Sequence, residues 1–90
     1  MSPARLSTTL QENFVKSELE TGHRMLALGK DQRKLRQQEA ARQSLDLARV
    51  ALSGAERHLE AVNLPQIERD ELSHDVDQLR REIETFEGAH

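Results

Sequence analysis

Ninety residues, 32% of them charged and 36% hydrophobic, with a net charge of −3, describe one small polar domain whose core must be thin. There is no cysteine, tryptophan or tyrosine, which excludes disulfides, thiolate metal sites, a cysteine nucleophile and a stacking platform for bases. Interleaved charges of both signs argue against a general nucleic-acid binder. No run reaches the roughly 18 apolar residues of a membrane span, so a cytoplasmic protein with no membrane role is the expectation.

Residues 1–6, with Pro3, read as a flexible lead. Ser7, Thr8 or Thr9 can cap a first helix, Glu12 standing at the capping-box spacing from Thr9. That helix covers about 8–28 and carries two apolar stripes. Leu10, Phe14, Thr21, Met25 and Leu28 form one; Val15, Leu19, Gly22 and Leu26 form the other. Gly29 suits a left-handed C′ residue, and Asp31 suits the N-cap of the next helix.

The second helix, about 31–63, organises the rest. Ala41, Leu45, Ala48, Leu52, Ala55 and Leu59 alternate in steps of three and four, flanked on the same side by Ser44, Leu47, Ala51 and His58. So wide an apolar arc asks for a neighbour on each side. The chain is therefore expected to be all-α: an antiparallel three-helix bundle with a long central helix. At 1.5 Å per residue that helix would be about 48 Å long against about 33 Å for its neighbours, overhanging them at its charged start. A one-turn break within 30–37 is the alternative. Pro65 opens a third helix over about 65–86, with Leu72, Val76, Leu79, Ile83 and Phe86 as its seam and Ile67 packing near the entrance. Residues 7–87 make the domain, and 88–90 a tail.

Phe14-Val15-Lys16-Ser17-Glu18-Leu19-Glu20-Thr21-Gly22, followed by Ala40-Ala41-Arg42-Gln43-Ser44-Leu45-Asp46, resembles a group of small uncharacterised bacterial three-helix proteins. More loosely, the unit is similar to the microtubule interacting and transport (MIT) domains, themselves related in packing to tetratricopeptide repeats. That resemblance implies a module binding helical peptides in a groove between helices, and brings no catalytic residue with it.

Two Glu-x-x-His spacings, Glu20 with His23 and Glu71 with His74, have the form used by di-metal bundles. Their angles turn them away from the apolar seams, so a solvated face is expected and no metal or cofactor. His58 is expected to be a half-buried ring, and Glu18, between the stripes of the first helix, to pair with Arg42 or Arg49. Lys30, Arg33, Lys34 and Arg36 form a basic cluster that could attract an anion.

These features favour a non-enzymatic interaction or assembly module that takes no small-molecule substrate. Its partner would be a helical peptide or protein, or a second copy forming a homodimer. The docking surface would be the stripe left over on the first helix, Val15, Leu19, Gly22 and Leu26, with Glu18 and Arg42 beside it. Truncation of Leu19 should then cost far less stability than truncation of Leu52. The alternatives are a metal-binding or oxidative enzyme formed by dimerisation, and a nucleic-acid-associated regulator using the basic cluster.

Overall fold

The computed structural model describes residues 3–88, and the side chains of residues 10–88. Three helices follow one another: α1 (Pro3–Lys34), α2 (Gln38–Ala61) and α3 (Gln66–Gly88). Turns this short force successive helices antiparallel, so α1 and α3 run together and α2 runs against both. There is no strand among the described residues. The all-α three-helix bundle expected from the sequence is the fold that forms.

The longest helix is α1, not the central one. Proline suits a first helical turn, and α1 starts at Pro3, so residues 3–6 of the expected lead are helical and Ser7, Thr8 and Thr9 lie inside the helix. Met1, Ser2, Ala89 and His90 fall outside the described residues. The molecule measures 52 × 18 × 15 Å, and its long dimension is essentially that of α1, 32 residues or about 48 Å. Phe14 already stands level with His58, near the end of α2, so the overhang belongs to the start of α1.

The first turn comes later than Gly29, inside the segment considered for a break. The N–H of Gln37 donates to the Gln32 carbonyl (2.8 Å) and that of Arg36 to the Arg33 carbonyl (3.0 Å), the double bond of a Schellman stop. Its left-handed residue is Arg36, at φ 61°. Gly29 instead lies within α1 and serves helix approach. A Cβ on it would stand 3.4 Å from the Ala41 carbonyl oxygen and 3.6 Å from Phe86 Cζ. Asp31 therefore belongs to the end of α1, and α2 starts behind Gln37, whose side chain makes no cap bond.

The apolar seams of α2 and α3 are buried as their spacing predicts, from Ala41 to Leu59 and from Leu72 to Phe86. Between them sit Val15, Leu19 and Leu26 of α1, all at most 1% exposed. The lower end is closed by Leu64 rather than Ile67, which is 74% exposed. There Arg69 of α3 donates from Nη1 to the Leu59 carbonyl (3.0 Å) and from Nη2 to that of Val62. It thus satisfies acceptors that the end of α2 would otherwise leave open.

Candidate functional site

The stripe expected to be spare on helix 1 is the core of the monomer. Val15, Leu19, Gly22 and Leu26 point into the angle between α2 and α3 and are buried. Gly22 is closest of all, since a Cβ there would meet Leu79 of α3 and Ala51 of α2 at 2.5 and 3.6 Å. Both stripes are apolar, and periodicity does not say on which side of the α1–α2 hairpin the third helix lies. It lies on this one.

The other stripe is consequently bare. On the side of the hairpin away from α3, Leu10, Phe14 and Leu28 of α1 are 69, 49 and 43% exposed, and Leu47 and Val50 of α2 are 55 and 65% exposed. Met25 is half-buried among them, packed on the core. The Phe14 ring lies against His58, centroids 4.3 Å apart, and His58 Nδ1–H donates to the Gly54 carbonyl at 2.8 Å. Glu18 fills the seam between the helices over Gly54, at a spot that any side chain on residue 54 would occupy. It makes no ion pair with Arg42 or Arg49. Arg49 is committed elsewhere, and residue 18 is level with Gly54, far from residue 42. The signal for this face was present in the sequence as the Leu10-to-Leu28 stripe and the off-seam Leu47.

Polar ties hold α3 in place on the opposite side. Arg49 grips Glu87 at 3.0 and 2.7 Å and Asp46 at 3.0 Å. Arg80 reaches Glu56 of α2 at 3.0 Å. The hydrogen bond to Glu87 holds the Arg49 guanidinium above its ordinary range, and Glu56 does the same for Arg80. His23, expected on the solvated face with Glu20, instead lies between α1 and α3, with Asp75 at 3.0 Å and Glu82 at 3.4 Å. His74 and Glu71 stay exposed. Among the described residues, no group of three His, Asp or Glu side chains could hold a metal ion.

The basic cluster occupies the end of α1 rather than the start of the central helix. Cations there oppose the negative end of the helix dipole. Arg33 is engaged in the fold, its guanidinium 3.6 Å from the Phe86 ring centroid and Nη1 donating to the Phe86 carbonyl at 2.8 Å. Lys30, Lys34 and Arg36 are exposed. A cleft of about 390 Å³ opens beside Arg33, lined also by Arg42 and Arg49, but Glu39, Asp46 and Glu87 share its walls. Three acids thus stand among its three arginines. No helix among the described residues is long and apolar enough to cross a membrane.

No family model, no curated protein and no solved structure matches the chain. The functional reading therefore rests on the geometry of the bundle itself.

Proposed function

We propose that the protein is a non-enzymatic interaction or assembly module whose working surface is the face of α1 and α2 that α3 leaves uncovered. The carrying observation is the asymmetry of the hairpin. One side is filled by α3, while on the other Leu10, Phe14, Leu28, Leu47 and Val50 stand in water. Exposed apolar residues grouped along two adjacent helices mark a surface built to be covered. Burial returns roughly 25 cal/mol per Å² of apolar area. A helical partner laid along the hairpin would meet anchors at helical spacing, Leu10 with Phe14 and Leu47 with Val50. Helical peptides in such grooves are also what the resemblance to MIT and tetratricopeptide modules implies, and a cytoplasmic, bacterial setting belongs to the same reading.

Photocrosslinking tests it. A photoreactive side chain at Leu47 should give a discrete crosslinked protein band in the cells that make the chain, and one at Arg81, on the outer side of α3, should not. Equal background at both positions would retire the reading.

A further inference from the structure

We infer that His23 is a proton-operated clamp, which tightens α3 on the α1–α2 hairpin below neutral pH and slackens it above. The ring stands between two acids of α3. Its Nε2 lies 3.0 Å from Asp75 Oδ1, and its Nδ1 lies 3.4 Å from Glu82 Oε2. A neutral imidazole carries one N–H, so in either tautomer it donates to one carboxylate and turns a bare lone pair toward the other. The imidazolium donates to both. Only the protonated ring completes the tie.

The charges around the ring leave it to these two partners. On α1, Glu20 and Arg24 flank it but are paired with each other at 2.6 Å. Lys30 of α1 and Arg81 of α3 share a cleft with Glu82, which leaves Asp75 as the stronger partner. From α2, Arg49 and Glu56 reach across to α3, where they are engaged with Glu87 and Arg80. Those ties, like the bonds of Arg33 and Arg69 to carbonyls, depend on arginines, which stay charged throughout. His58 bonds within α2, and His74 is exposed on α3. Among the described residues, His23 is therefore the tie between α3 and the hairpin whose charge changes between about pH 5 and pH 8. Its contribution is present in full below the ordinary imidazole range, about 6.5, and is lost as pH rises through it. The ring is 34% exposed and its acids 43 and 37%, so water screens the clamp and keeps its effect modest.

The test compares urea unfolding of the wild-type chain and His23→Gln, followed by circular dichroism, at about pH 5.5 and about pH 8, where ordinary carboxylates are ionised. Glutamine keeps a donor but cannot take up a proton. His58, His74 and His90 are present in both chains and cancel in the comparison. His23→Gln should raise the unfolding constant about two- to fivefold more at the lower pH than at the higher. Repeated on an Asp75→Asn, Glu82→Gln background, the comparison should show no such difference. An effect of His23→Gln that is equal at both pH values, or larger at the higher one, would overturn the clamp. So would a pH-dependent difference that survives on the background lacking both acids, since the charge on the ring would then be answered elsewhere.

Discussion

Gly22 of α1 is held against Leu79 of α3 so closely that a methyl group on residue 22 would fall 2.5 Å from Leu79 Cδ2, and Leu79 is completely buried. Helix propensity and packing therefore pull in opposite directions at this position. Alanine would add about 1 kcal/mol of helix propensity, whereas overpacking a filled core costs about 1–3 kcal/mol. Packing should win, and Gly22→Ala should lower stability by up to about 2 kcal/mol. Gly29 is the internal control, because a Cβ there meets its neighbours at 3.4 Å or more. Gly29→Ala should be neutral or stabilising. Urea unfolding of both variants decides, and a matching gain in the two would refute the close contact at residue 22.

The two stripes of α1 separate by burial, and truncation should separate them by energy. Leu19 is 1% exposed and Leu52 is 8% exposed, so each truncation to alanine should cost about 2–5 kcal/mol. Leu28→Ala, on the bare face, should cost less than about 1 kcal/mol in the monomer. The measurement is the urea midpoint at a concentration where association is absent. A Leu19→Ala penalty as small as that of Leu28→Ala would put the wrong stripe in the core.

Arg69 joins the first turn of α3 to the last carbonyls of α2. Hydrogen bonds from a charged donor are worth about 1.5–3 kcal/mol when the acceptor is partly buried. Arg69→Ala should lower stability by about 1–2 kcal/mol, with water recovering part of the loss. In a domain of this size that is a fall of roughly 4–16 °C in the unfolding midpoint. Arg69→Lys should recover less than half of it, since an ammonium lacks the fork that spans both Leu59 and Val62. Full recovery by lysine would show that charge near the end of α2, and not the paired bonds, is what matters.

The seams of α2 and α3 were legible because each is a single stripe with charges opposite, leaving one way to bury it. In α1 the sequence offered two stripes of similar apolarity. Choosing between them depends on which side of the hairpin α3 returns to, and neither spacing nor composition encodes that. Gly29 was misleading for a related reason: glycine ends helices and also lets helices touch, and nothing local distinguishes the two uses. His23 was placed on the solvated face, although it flanks the stripe of Leu19 that turned out to be buried. It became an interhelical contact because Asp75 and Glu82 come to it from α3, a meeting that depends on the packing already found. The bare face was therefore visible as a stripe but not as a surface.

The turn between α1 and α2 had the weakest signal of all, an arginine where a glycine would be expected. Arg36 sits at φ 61°, in the left-handed region, to complete the Schellman bonds of Arg36 and Gln37. A residue with a Cβ pays about 1–2 kcal/mol for that conformation. Glycine avoids the cost but gives back about 0.5–1 kcal/mol to the entropy of the unfolded chain. It also forfeits a few tenths from losing a cation near the end of α1. Arg36→Gly should therefore raise stability by about 0.5 kcal/mol. Arg36→Ala, which keeps the Cβ and drops the charge, should lower it slightly. Arg36→Val should cost more than about 1 kcal/mol, because a branched Cβ tolerates the left-handed region least. Urea midpoints at unchanged m-value would read out the order glycine, arginine, alanine, valine. If glycine and alanine behaved alike, residue 36 would not be left-handed in solution, and the turn would have to close in some other way.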